Sequence, residues 1–186
     1  PGAVDAATGA TPLAMLKEGI NYVNGLPVVA GGEMAGQALP NIWNLFIGNV
    51  GGCIGETSVL ALAIGGAYLL YRRVINIRVP AIYILTVGVL AFAFGKFDIN
   101  YFIYHVCAGG LFLGAIFMAT DYSTSPMTAK GQIVMGLGCG LLTFVIRFWG
   151  GYPEGVSYSI LLMNVATPLI DRFTMPRKFG EVKKSA

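Results

Sequence analysis

Charge is what this sequence has least of. Of its 186 residues 11% are charged and 55% hydrophobic, with a mean hydropathy of +0.69, where a soluble globular chain carries about 25% charged residues. So few charged side chains cannot cover a soluble core, which excludes an ordinary soluble domain. Cysteine is equally sparse. Cys53, Cys107 and Cys139 stand singly with no C-x-x-C pair, so no zinc or iron–sulfur site is contained within the chain. They read as small packing residues, the alternative being a cluster shared with a partner protein. The one histidine, His105, has no carboxylate at helical spacing, which favours a structural role over a proton path. A basic segment leading into an apolar signal core is also missing, and the first residue is Pro1. The chain therefore reads as the C-terminal part of a longer one. No internal repeat stands out.

What is present is apolar run after apolar run. Crossing a bilayer takes about 20 helical residues, and five stretches approach that length: 52–71, 79–95, 101–120, 131–149 and 156–170. The expected fold is all-α and membrane-integral. GINYVNGLPVVAGG and ALPNIWNLFIGNV, ahead of these, are too short and too interrupted to span. They are expected to be re-entrant or interfacial, because irregular backbone survives at membrane depth only when buried in protein or lining a wet cavity. Glycine is abundant at 26 residues. Gly110 with Gly114, and Gly136 with Gly140, form two G-x-x-x-G patterns that predict close helix contact.

Basic residues orient the five stretches. Arg72, Arg73, Arg78, Lys130, Arg172, Arg177, Lys178, Lys183 and Lys184 fall on one side, nine of the twelve Lys and Arg, leaving Lys17, Lys96 and Arg147 on the other. The positive-inside rule makes the nine cytoplasmic and the first residues external. The net charge of +3 is thus a topological signal and not a nucleic-acid-binding patch, although the basic tail could touch anionic lipid.

Two short stretches carry candidate chemistry. In GNVGGCIGET the carboxylate of Glu56 enters the first turn of an apolar run directly after a glycine-rich break. It either complements the helix dipole or lines an ion path beside freed backbone carbonyls. In DAATGATPL, residues 5–13, Thr11 precedes Pro12 and LAMLKE, the signature of an N-cap followed by proline at the first helical position. The cap does not account for the small residues upstream, which leave the chain open to another protein's active site.

The pattern D-x-x-[ST]-G-A-T resembles the signal at which a flavin transferase esterifies the last threonine with FMN. GNVGGCIGETSVLALAIGG, GGLFLGAIFMATDYSTSPMTAKGQ and IRFWGGYPEGVSYSILLMNVATPLIDR are similar to the RnfD/NqrB family, and within it to the RnfD membrane component of ion-translocating ferredoxin:NAD oxidoreductases. The NqrB component of the sodium-pumping NADH:quinone reductase has the same layout. This resemblance implies half of a urea-transporter-like fold. It also implies a covalent FMN on Thr11, recognition of Asp5, Thr8, Gly9 and Ala10 by the transferase, and Glu56 as an ion-path candidate. No residue of the chain is itself catalytic, and none is assigned to a metal. A second, non-covalent riboflavin is allowed. Residues 1–51 would form the external attachment loop with the short segments, 52–170 the five-span bundle and 171–186 the basic cytoplasmic tail. The implied setting is a multi-pass component of the Rnf complex in a bacterial inner membrane, partnered by the complex's other subunits and by lipid. A phosphoester on Thr11 would meet the free N–H groups of the following turn. A quinone-reducing component, a flavin-free small-solute channel and a scaffold for other redox proteins are the alternatives, and the last two leave Thr11 bare.

Overall fold

The computed structural model describes residues 12–17, 20–23, 26–30, 38–50, 57–95 and 97–175. Eight helices and one hairpin account for most of them. In chain order they are α1 (Pro12–Lys17), β1 (Ile20–Val23), β2 (Leu26–Val29), α2 (Ile42–Ile47), α3 (Val59–Tyr71), α4 (Arg78–Phe94), α5 (Ile99–Cys107), α6 (Leu111–Leu113, passing into a π turn, Gly114–Met118), α7 (Ala129–Trp149) and α8 (Val156–Thr174). Among the described residues one helix, Ala129–Trp149, is long and apolar enough to cross a membrane, and the pair Ile99–Cys107 and Leu111–Met118 passes the same test together.

Local chemistry starts and stops these helices. Ser58, Asp98 and Thr128 each turn a side-chain oxygen onto an N–H of the first turn, at 3.3, 2.9 and 3.0 Å, satisfying donors with no intrahelical partner. Gly155, at φ 66°, opens α8 from the left-handed region, which costs glycine little.

The core sits where α4, α7 and α8 meet the bent α5–α6 pair. Val79, Tyr83, Val87, Leu111, Met135, Cys139 and Ile160 form one buried cluster. Parallel packing of α4 on α7 depends on missing side chains. A Cβ at Gly140 would lie 2.5 Å from Thr86 Cβ, and one at Gly136 3.0 Å from Ile82 Cβ, so Gly136 and Gly140 form the contact face their spacing predicts. Gly110 and Gly114 do not share such a face. Gly110 precedes α6 and Gly114 lies in the π turn, where a Cβ would come within 2.2 Å of Val156 Cγ1.

Two further expectations change. Part of the fold is not helical, because β1 and β2 pair antiparallel with Ile20 opposite Val29 and Val23 opposite Leu26. The connecting residues, Asn24–Gly25, are the strongest short-range hairpin signal in a sequence, and a reading made only for spans passes over it. The apolar run 101–120 is not one straight helix either. It bends by 62° between α5 and α6 at Gly109, whose φ of 74° takes the chain out of the helical region. The second short apolar segment holds α2, and Trp43 and Ile47 on it stay exposed. Helices α4, α7 and α8 fall within a few residues of the expected stretches. Helix α3 begins only at Val59, residues 51–56 being outside the described set.

Candidate functional site

The motif residues Asp5, Thr8, Gly9, Ala10 and Thr11 lie outside the described residues, as does Glu56. The helix that directly follows Thr11 is described, and it is firmly seated. Pro12, Leu13 and Leu16 of α1 are buried, and the two leucines pack with Leu39, Leu45, Tyr104 and Ala108 in a second core cluster. Fully burying two leucines stabilises the seat by about 1.5–3 kcal/mol each. Tyr104 adds direction by donating its hydroxyl to the Pro40 carbonyl at 2.8 Å. At the other end of α1, Lys17 Nζ donates to the Gly150 carbonyl.

Under α1 lies the break between α5 and α6. A Cβ on Gly109 would be 3.0 Å from Leu13 Cδ2, 3.6 Å from Arg147 Nη2 and 3.8 Å from Glu154 Oε1. The break, the first turn of α1, and a buried guanidinium with a nearby carboxylate therefore share one small volume. Arg147, in the last turn of α7, is only 4% exposed. Its Nη1 donates to the His105 carbonyl at 2.6 Å and its Nε to the Glu154 carbonyl at 3.1 Å. Arg147 thereby ties α5, α7 and the loop before α8 together, filling at His105 an acceptor that the break would otherwise leave unmet. Counted from sequence with Lys17 and Lys96 at the outer side, it serves in the fold as an internal clamp. The available signal was its position inside an apolar run, where an ionisable residue is expensive and has a reason to be there.

The isolated histidine and cysteines find packing environments. His105 lies between Tyr101 and Phe148, with ring centroids 4.4 and 5.2 Å away, and Phe94, Phe144 and Trp149 continue the aromatic cluster. Cys139 is buried and Cys107 half-buried, both free, and Cys53 lies outside the described residues. Deeper in the bundle the hydroxyls of Tyr83, Thr143 and Ser159 lie 2.5, 2.9 and 2.6 Å apart, joining α4, α7 and α8. Sequence reading missed this cluster, because its members come from three separate helices.

A cavity of about 570 Å³ opens at the end of the bundle where α3 leads into α4, α6 into α7, and α8 ends. Asp121 and Asp171 are among its lining residues, with Gln132 and Thr167, 8% and 7% exposed, contributing buried polar groups. Asp121 accepts from the Ser123 hydroxyl at 2.7 Å and Thr124 at 3.3 Å, and Asp171 from the Met127 N–H at 3.3 Å. The bonds to Asp121, that from Ser123 foremost, hold its carboxyl below its ordinary pKa and so ionised at neutral pH. Gln132 Nε2 donates to the Pro126 carbonyl at 3.3 Å, while the buried Oε1 of the same amide has no protein partner. Among the described residues no Lys or Arg lines the cavity.

Comparison with known proteins places this architecture. The chain is 51% identical over 186 residues to the D component of the "Na(+)-translocating ferredoxin:NAD(+) oxidoreductase complex" of Acetobacterium woodii, covering 98% of this chain and 52% of that protein. It is also 51% identical over 180 residues to the D component of the "Proton-translocating ferredoxin:NAD(+) oxidoreductase complex" of Clostridium ljungdahlii, covering 95% and 52%. Identity to the D component of the "Ion-translocating oxidoreductase complex" of Stutzerimonas stutzeri is 41% over 179 residues, covering 95% and 49%. The chain thus spans about half the length of the curated relatives it matches. Residues 1–180 match the profile of the NQR2, RnfD, RnfE family, a match over nearly the whole chain that agrees with the helical architecture, and the chain belongs to that family.

Proposed function

We propose that the chain is the flavin-bearing part of the RnfD component of an ion-translocating ferredoxin:NAD oxidoreductase, carrying electrons on an FMN esterified to Thr11. One observation carries the reading: in a chain of this family the motif DAATGAT ends at Thr11, immediately ahead of a helix whose Leu13 and Leu16 are fully buried. A flavin supplies one- and two-electron chemistry that no side chain here can supply. The residues' part is to present a hydroxyl to the transferase, through Asp5, Thr8, Gly9 and Ala10, and to fix the chain beyond it. A threonine hydroxyl is a weak nucleophile unaided, so the activating base and metal belong to the transferase, and Thr11 is an attachment point without a catalytic role. Ultraviolet fluorescence of the denatured band on a gel tests the reading, since an esterified flavin stays with the chain and a bare chain is dark. The quinone-reducing component of the same family is the second reading, and a ferredoxin-dependent reduction of NAD by the assembled complex separates the two. Relatives of equal identity are named for Na⁺ and for protons, so either ion suits the reading. A non-covalent riboflavin also suits it. The cavity around Gln132 offers that ligand an unmet amide acceptor, two carboxylates for ribityl hydroxyls and no basic residue that would favour a phosphate.

In this reading the chain crosses a bacterial inner membrane five times as half of a urea-transporter-like fold. Arg72, Arg73, Arg78, Lys130 and Arg172 flank the same end of the helices, which supports a cytoplasmic placement for that end and an external one for Thr11. A cysteine introduced at Gly9 is then expected to react with an impermeant thiol reagent in intact cells, and one at Ser185 only after lysis. Labelling of Ser185→Cys in intact cells would reverse the topology and put Thr11 beyond an exported transferase.

Glu56 is assigned to the ion path on its place beside Gly55, ahead of α3. Glu56→Gln is expected to lower ion transport per flavin severalfold while leaving flavin content unchanged. Transport per flavin equal to that of the unaltered complex would return Glu56 to a helix-dipole role.

A further inference from the structure

We infer that the loop between α7 and α8 is the docking site of the flavin ring carried on Thr11, with Tyr152 and Tyr158 as the faces against which the ring rests. This deepens the flavoprotein reading and rests on it. The loop encloses a pocket of about 240 Å³ lined by Tyr152, Pro153, Glu154, Gly155, Ser157 and Tyr158. Its two tyrosines stand with ring centroids 5.3 Å apart and planes 34° from each other, yet they remain 62% and 52% exposed. Two adjacent phenol faces left open beside a pocket suit a planar, electron-poor heterocycle, because aromatic rings gain from offset stacking beyond the area they bury.

The position of the pocket selects which heterocycle. Glu154 Oε1 would lie 3.8 Å from a Cβ on Gly109, and Leu13 Cδ2 3.0 Å from the same point, so the pocket's carboxylate and the first turn of α1 meet over one glycine. Thr11 precedes Leu13 by two residues, a Cα separation of at most about 7 Å. A ribityl phosphate arm attached two residues before Leu13 therefore has this loop within its reach. The larger cavity around Gln132 is at the opposite end of α7, whose 21 residues put it about 30 Å away, beyond such an arm. The loop is also held in shape before any ring arrives. Arg147 Nε fixes the Glu154 carbonyl at 3.1 Å, and Gly155 packs so closely on Ile146 that a Cβ would come within 2.6 Å of Ile146 Cγ2. A preformed pocket loses less freedom on docking.

The test uses the assembled complex unaltered and with Tyr152→Leu, Tyr158→Leu or Tyr71→Leu. Tyr71, the last residue of α3, is 84% exposed and lines neither this pocket nor the cavity around Gln132, so its replacement controls for a general effect of losing a surface tyrosine. Covalent flavin is measured as fluorescence of the denatured band, and flavin fluorescence of the native complex is then divided by it. A phenol in contact with a flavin ring quenches its fluorescence. The expected result is a threefold or greater rise in native fluorescence per covalent flavin for Tyr152→Leu and Tyr158→Leu, and none for Tyr71→Leu. A bright denatured band with unchanged native fluorescence in both loop variants overturns the docking site while leaving the Thr11 ester intact. An equal rise in all three variants overturns it as well. A dark denatured band from the unaltered complex instead sinks the Thr11 reading, and the docking site with it.

Discussion

Thr11→Ala is expected to abolish the covalent flavin of the proposed reading and, with it, electron transfer through the complex, while the chain still inserts and assembles. Attachment and folding separate because they rest on different groups. The ester needs a hydroxyl at the last position of D-x-x-[ST]-G-A-T, and only Thr11 occupies it. The seat of α1 is made instead by Leu13 and Leu16 against Leu39, Leu45, Tyr104 and Ala108. Losing an N-cap side chain costs about 1 kcal/mol, less than the burial of either leucine. Thr8→Ala, by contrast, weakens labelling without moving it, since Thr8 serves recognition in this reading. Mass spectrometry of the peptide holding both threonines decides the matter. An adduct on Thr8, or no adduct when transferase and flavin donor are present, would return the loop to a plain helix cap.

The second large effect is expected at Arg147. Arg147→Met keeps most of the side-chain volume and removes the donors to the His105 and Glu154 carbonyls. The buried His105 carbonyl left unmet costs about 1–3 kcal/mol and the half-buried Glu154 carbonyl less, which predicts a loss of roughly 2 kcal/mol or more. Arg147→Lys is expected to recover little, because one ammonium on a flexible stem does not reproduce the fixed fork that reaches two carbonyls on different segments. Thermal unfolding of the detergent-solubilised complex, followed by loss of intact complex, measures both. Melting of Arg147→Met at the unaltered temperature would show that the α5–α6 break does not depend on this clamp.

Arg147 also marks where sequence reading reached its limit. From the chain alone it is a basic residue two positions before Trp149, and charge counting only places it at the outer side. The bend at Gly109 leaves the His105 carbonyl in need of a donor, and no local pattern announces that Arg147, 42 residues beyond His105, supplies it. Gln132 is a similar case. It reads as one polar residue early in an apolar helix, and becomes a candidate binding group only when Pro126, Thr167 and Asp171 are brought around it. The hairpin of β1 and β2 is different, because its signal, Asn24–Gly25, is local and legible in the sequence.

The sequence by itself determined the membrane class, the helical stretches later seen as α4, α7 and α8, the Gly136 and Gly140 contact face, and the family. These follow from composition, from run length and from spacing along one helix or within one motif, all of which are local properties of the chain. Tertiary structure alone decided that 101–120 is bent, that Arg147 is a buried clamp, that three hydroxyls from α4, α7 and α8 meet, and that the Tyr152–Tyr158 pocket lies beside the first turn of α1. Each of these is a relation that packing, and not spacing, creates. A buried polar atom takes its meaning from whichever partner packing brings within hydrogen-bond distance, and the order of residues along the chain does not specify that partner.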